Sequence, residues 1–308
     1  MTITKLRLIS ALFAAAAFVA ACGGGSGDNT AGNPDPGGNT GGITGTGIAF
    51  AIGPLTGFGS VIVNGVTYDT SSASFDIDGV DGTQDDLELG QYVVVTGTIS
   101  DDGATGTATN VTFGDNVEGP VSSVDSATGT IIVLGQTVVI DGGTSIDDSC
   151  PATLNELTGV PAVEVSGPVR ADGTIVATRI ECKAIAGELE VTGVVSNHNA
   201  GAMTFQINAL VVDYSEAIEI ADFPTAGVIN NGDPVEAKGN GLGDADELLA
   251  TRVEYKGGEY ADNEGDHAEI EGFITRFDLV TDFDVSGIPV TTNGSTIYEG
   301  GVAGELGL

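Results

Sequence analysis

A β-hairpin written three times over limits what this chain can fold into. In its clearest copy, Ala162-Val163-Glu164-Val165-Ser166-Gly167 leads through Ala171-Asp172-Gly173 into Thr174-Ile175-Val176-Ala177-Thr178-Arg179-Ile180-Glu181. Apolar and polar residues alternate through both runs, the period of a half-buried strand, and Asp-Gly between such runs marks a tight hairpin. The pair returns as Pro234-Val235-Glu236-Ala237-Lys238-Gly239 with Ala250-Thr251-Arg252-Val253-Glu254. It stands earlier as Val93-Val94-Val95-Thr96-Gly97 with Thr107-Ala108-Thr109-Asn110-Val111. Self-similarity at a fixed period is the mark of tandem units. Gly47, Gly119, Gly193 and Gly272 open four of them, at spacings of 72, 74 and 79 residues.

Each copy holds enough strands to close a core of its own. In repeat two, residues 117–124, 129–134 and 136–140 read as three strands and residues 152–157 as a weakly helical turn before the hairpin. In repeat one, Asn64-Gly65 marks a type I′ turn, because both residues tolerate positive φ. Three strands, a helical turn and two strands is the order of a small OB-like barrel. An immunoglobulin-like sandwich needs more strands than one repeat provides. The expected fold is all-β: tandem small OB-like antiparallel barrels at residues 47–114, 115–186 and 187–258, then an acidic linker and a truncated fourth repeat at 259–308. Glu305-Leu306-Gly307-Leu308 matches Glu88-Leu89-Gly90-Gln91, just before the hairpin, so repeat four reads as lacking its last two strands. Its Phe273, Phe277, Phe283 and Ile297 are then expected to be partly uncovered, or the segment to dock on repeat three or another chain.

The N-terminus carries an address. Lys5 and Arg7 precede an apolar run over residues 8–21 that ends Val19-Ala20-Ala21-Cys22. A basic start, a short apolar core and small residues before the cut describe a signal peptide, too short for a stable membrane span. Small residues directly before a Cys resemble the bacterial lipobox, which implies cleavage after residue 21 and lipidation of Cys22. Gly23 is not the Asp that usually retains such proteins at the inner membrane, so the outer membrane is expected, facing the periplasm or the surface. Residues 22–46, rich in Gly, Ser, Asn, Thr, Asp and Pro, cannot bury enough apolar surface to fold and read as a flexible tether.

Charge narrows the partners. The chain has 44 acidic residues against nine basic ones, and from Cys22 to Val169 there is no Lys or Arg. Nucleic acid and anionic head groups need basic partners to release their counterions, which makes both poor candidates. A lipid anchor at Cys22 and a protein or polysaccharide partner in the cell envelope are the expected associations. Once Cys22 is acylated, Cys150 and Cys182 remain, and an even pair in one repeat of an exported protein reads as a disulfide.

The runs Gly57-Phe58-Gly59-Ser60-Val61-Ile62-Val63-Asn64-Gly65-Val66, Leu89-Gly90-Gln91-Tyr92-Val93-Val94-Val95-Thr96-Gly97 and Ala177-Thr178-Arg179-Ile180-Glu181 resemble the domain-of-unknown-function 5666 family. The resemblance implies an exported lipoprotein of several β repeats after a Gly-rich tether, and it supplies no reaction. Repeat one departs from the pattern with Asn110 where Arg179 and Arg252 stand.

Catalytic signals are thin. His198 and His267 have no metal-ligand spacing to another His or Cys and read as exposed turn residues; no nucleophile elbow, Cys-x-x-Cys pair or phosphate-cradling loop occurs. Strand alternation places Val176, Thr178, Ile180 and Cys182 on the core side, and Arg179 outward beside Glu181 as an exposed same-strand ion pair. One acidic run, with Asp76, Asp78, Asp81, Asp85 and Asp86 spaced by Gly79 and Gly82, could wrap Ca²⁺, although its spacing is not that of an EF-hand. The expected function is a non-enzymatic structural or partner-binding module without a cofactor. The alternatives are a Ca²⁺-dependent adhesion module and, less favoured, a carboxylate-based hydrolase.

Overall fold

The computed structural model describes residues 5–7, 49–57, 59–100, 102–184, 187–257 and 268–299; Cys22, the tether, Gly47 and His267 lie outside them. Among the described residues strands dominate, interrupted by two 3-10 turns, Gln84–Asp86 and Leu154–Gly159. The all-β, repeated architecture is as the sequence predicts.

In repeat one the main strands are Ala49–Gly57, Val61–Val63, Val66–Asp69, Tyr92–Ile99 and Thr105–Phe113. Strand one pairs with two, two with three, three with five, five with four and four with one, which closes a ring and leaves it no free edge. Only the contact between strands three and five is parallel. Repeat three closes the same circuit through Leu189–Asn199, Thr204–Ile207, Leu210–Asp213, Leu248–Tyr255 and Pro234–Leu242. Repeat two does so with two split strands: Pro120, which has no N–H to give, divides Val117–Gly119 from Val121–Asp125, and the fifth strand divides into Ile175–Val176 and Arg179–Lys183. The Asn64-Gly65 turn has positive φ at both residues, as a type I′ turn requires, and Leu134-Gly135 repeats it in repeat two.

Strand five does not alternate as its sequence reads. Ile175 and Ala177 are buried, and so are Ile180 and Cys182, so the inward face changes parity between them. Repeat one does the same, with Ala108 and then Val111 and Phe113 buried. The cause is a bulge against a glycine of strand four. A Cβ on Gly167 would lie 2.1 Å from the Val176 carbonyl oxygen; one on Gly97 would lie 2.1 Å from that of Thr107, and one on Gly239 2.3 Å from that of Leu249. Strand pairing shifts register at Gly97 and Gly239. A bulge inserts one unpaired residue and so reverses which side chains face inward. The same register corrects the opening glycine of repeat one. Gly53, not Gly47, pairs with Val93 as Gly119 pairs with Val163 and Gly193 with Val235.

The repeats are joined, not strung apart. Val117–Gly119 of repeat two pairs with Leu189–Asn199 of repeat three, so one sheet runs through both. Their interiors form a single apolar cluster, and the buried Gln136 donates to the Ile207 carbonyl at 3.1 Å while accepting from Asn208 at 2.7 Å. In repeat four, Ile274–Leu279, Asp282–Val285 and Ile288–Thr291 make a three-stranded sheet. This segment docks on repeat one rather than on repeat three. Ala268–Ile270 pairs in parallel with Phe50–Ile52, Ile288 packs on Phe50 and Ile52, and the Tyr92 hydroxyl donates to the Glu271 carbonyl. Docking and its own small core bury Phe283 completely, against expectation; Phe273 and Phe277 are half-buried and Ile297 is exposed. In the N-terminal run, Lys5–Arg7 pairs in parallel with Ile297–Glu299.

Cys150 and Cys182 form a disulfide with Cα atoms 4.9 Å apart, joining the chain before the 3-10 turn to the last strand of repeat two. With 32 residues separating its ends, the closed loop should contribute about 3–4 kcal/mol. Urea unfolding of the Cys150→Ser/Cys182→Ser double variant is expected to show a loss of that size. Gly167→Ala should cost about 1–3 kcal/mol in the same measurement, because the added methyl meets a backbone carbonyl; an unchanged midpoint would refute the bulge constraint.

Candidate functional site

The outward faces of strands one, four and five carry the differences between repeats. At the hairpin position after the buried valines Val93, Val163 and Val235 stand Val94, Glu164 and Glu236. An acid between two core residues of a strand must point away from the ring interior. In repeat one this face is apolar, and Phe50, Ile52 and Val94 lie under Ile288 and Ile270 of repeat four. In repeats two and three it is charged.

Because the two charged faces share one sheet, they form a continuous ladder. Glu181, Glu164, Glu118, Glu190, Lys238 and Arg252 are successive cross-strand neighbours. The turn Asp78-Gly79 of repeat one lies over it: Lys238 Nζ donates to the Asp78 carbonyl at 3.3 Å, and Asp78 Oδ1 accepts from the Asp115 N–H at 3.2 Å. Lys238 also pairs with Glu190 at 2.7 Å and Glu236 at 3.6 Å, while Lys183 pairs with Glu164 and, at 3.2 Å, with Glu181. Glu164, Glu190, Glu236 and Lys238 are all buried, unlike ordinary surface ion pairs.

Three carboxylates meet within this junction. Asp115, in the connection from repeat one to repeat two, Glu118 and Glu164 place carboxylate oxygens within 4.8 Å of one another. Asp115 is 3% exposed, and its Oδ1 is buried without a hydrogen-bond partner. Burial, reinforced by repulsion from Glu164 and Asp78, pushes the Asp115 carboxyl well above the ordinary range. Burial also raises Glu118, and burial together with repulsion from Glu164 moves Asp78 up to about 6.

The residues singled out from the sequence fare differently. Of the five aspartates of the acidic run, only Asp78 reaches the junction. Asp76 and Asp81 face each other across a short hairpin, Asp86 caps the Gln84–Asp86 turn through Thr83, and Asp85 is exposed on that turn. Arg179 is not exposed. It is 5% accessible and is held by Glu88 and the Leu89 carbonyl of repeat one and by Asp147 at 2.8 Å, with Glu181 at 3.7 Å. Its counterpart Arg252 pairs with Glu254 at 2.7 Å and Glu219 at 3.3 Å, both of its own repeat, and is half-buried. His198 is half-buried in a strand rather than in a turn, its Nε2 2.7 Å from the Tyr214 hydroxyl.

Comparison with known families assigns the repeats. Residues 49–112, 118–181, 192–254 and 271–306 each match the model described as domain of unknown function DUF5666. The chain belongs to this family. Its four matched segments follow the repeats as folded, the fourth being shorter than the others. Comparison with curated proteins returns no match.

The raised carboxyl groups give stability a sign with pH. A carboxyl whose folded pKa exceeds its unfolded value favours the folded state most below the unfolded pKa, and that contribution is lost as pH rises through the folded one. For Asp78 the window runs from about pH 4 to about pH 6, and Asp115 and Glu118 act in the same direction. In chelator-containing buffer, unfolding free energy should fall across that window. Asp78→Asn, which keeps an acceptor for the Asp115 N–H, should remove about 1–3 kcal/mol of the fall. A variant whose pH profile superimposes on the parent would contradict this account.

Proposed function

We propose that this chain is an exported, lipid-anchored, non-enzymatic module of the cell envelope, a stiff multi-repeat body that holds a protein or polysaccharide partner away from the membrane. The observation that carries this reading is the joining of the repeats. A continuous sheet unites repeats two and three, buried Arg179 ties repeat two to repeat one, and repeat four pairs with the first strand of repeat one. Such joints resist relative motion, which suits a spacer or scaffold. We read the closed five-strand ring as OB-like, a fold that hosts many ligands and therefore leaves function to the faces that each copy presents.

The leader supports the address. The apolar run ending in Val19-Ala20-Ala21-Cys22 fits signal cleavage, lipidation of Cys22 and, with Gly23 following, transfer to the outer membrane. Cleavage there removes Lys5–Arg7 from its place beside Ile297–Glu299. The strong negative charge keeps the folded part off anionic head groups, so the anchor alone is expected to hold it to the membrane. Fractionation of cells expressing Cys22→Ser should move the protein from the detergent-extracted membrane pool to the soluble pool, with the melting temperature of the repeats unchanged. A variant that stays with the membrane, or a parent found soluble, would defeat the reading.

A further inference from the structure

The junction of repeats one, two and three contains a carboxylate arrangement that the protein's own cations do not complete. Lys183 reaches Glu164, and Lys238 reaches Glu190 and Glu236. Asp115 lies between these pairs, almost fully buried, with Oδ1 accepting no hydrogen bond while its backbone N–H and carbonyl are engaged by Asp78 and Thr192. A buried carboxylate oxygen with no donor loses the solvation of water and regains nothing. Here that oxygen belongs to a residue that meets Glu118 and Glu164 within 4.8 Å, and Glu118 remains half-exposed, which gives an ion a way in.

We propose that Asp115, Glu118 and Glu164 bind a hard divalent cation, Ca²⁺ by preference, which fastens the junction of the first three repeats. The donors are all carboxylate oxygens, a set that selects alkaline-earth ions over the thiolate- and imidazole-seeking metals. A Ca²⁺ shell, with oxygens about 2.3–2.6 Å from the ion, spans about the 4.8 Å over which these atoms lie. Three carboxylates leave room for water or carbonyl oxygens, which Ca²⁺ accepts in irregular geometry more readily than Mg²⁺ does. The site also differs from the Asp76–Asp86 run in what it joins. Asp115 follows the last strand of repeat one, and Glu118 and Glu164 lie on strands one and four of repeat two. Glu118 in turn stands directly across from Glu190 of repeat three.

Isothermal titration calorimetry on the chelator-treated full chain tests this, with CaCl2 and then MgCl2 as titrants and melting followed in parallel. The expected result is one saturable Ca²⁺ site, weaker Mg²⁺ binding, and a melting temperature raised by about 3 °C or more at saturating Ca²⁺. Asp115→Asn should weaken Ca²⁺ binding at least tenfold, and Glu118→Gln, at a half-exposed position, supplies the same test should Asp115→Asn fail to fold. The Asp81→Asn/Asp85→Asn variant should bind like the parent. Absence of saturable heat and of a melting shift in the parent would overturn the proposal. So would tighter binding of Mg²⁺ than Ca²⁺, or binding that survives Asp115→Asn and Glu118→Gln but disappears in the Asp81→Asn/Asp85→Asn variant.

Discussion

The close approach of a strand-four glycine to a strand-five carbonyl is the contact on which the rest of this structure depends. At Gly97, Gly167 and Gly239 there is no room for a Cβ. The resulting bulge lets strand five present core residues at both of its ends, Ile175 and Ala177 on one side of the break and Ile180 and Cys182 on the other. Strand five can then serve two neighbours. Its first half runs parallel to strand three, and its second half runs antiparallel to strand four. Without the change of parity, one half would turn its apolar side chains to solvent, and the ring would not enclose a single core.

What closes inward also decides what faces out. The bulge places Arg179 and Glu181 on the outer surface of the ring, next to Glu164, and the sheet extends that surface into repeat three. Copies of one scaffold thus come to differ in the face they present. Val94 allows repeat one to receive the apolar edge of repeat four, whereas Glu164 and Glu236 commit repeats two and three to a polar junction. Buried charges are poor sources of net stability, since desolvation offsets much of their attraction. Their effect is selective: sliding repeat one against its neighbours would separate Arg179 from Glu88 and Lys238 from the Asp78 carbonyl.

Much of the architecture is legible in the residues. Alternation and Asp-Gly or Asn-Gly turns mark the hairpins, the recurrence of Val-x-Val or Val-x-Ala two residues before a glycine marks the copies, and a lone pair of cysteines in one copy marks the disulfide. The bulge was not legible, because Ile175, Val176 and Ala177 are apolar in succession and Thr178 and Arg179 polar, which favours neither register, and the carbonyl opposite Gly167 decides between them. Arg179 was misplaced for a related reason. Its cover comes from Glu88 and Leu89, ninety residues earlier, and no local pattern reports such a neighbour. The junction carboxylates left a faint trace: Glu118, Glu164 and Glu236 each interrupt an apolar strand. That Glu118 and Glu164 meet follows from the pairing of strands one and four, and the arrival of Asp115 from the turn that precedes them.

The docking of repeat four bears on how this body carries a load. Residues 50–52 are clamped on two sides, antiparallel to Tyr92–Ile99 and parallel to Ala268–Ile270. This strand is the first of repeat one. A pull along its axis therefore stretches both rows of hydrogen bonds at once, in shear, instead of opening them one after another. Forced unfolding is governed by the barrier to the first rupture. Repeat four thus thickens the fold beside the first strand of repeat one.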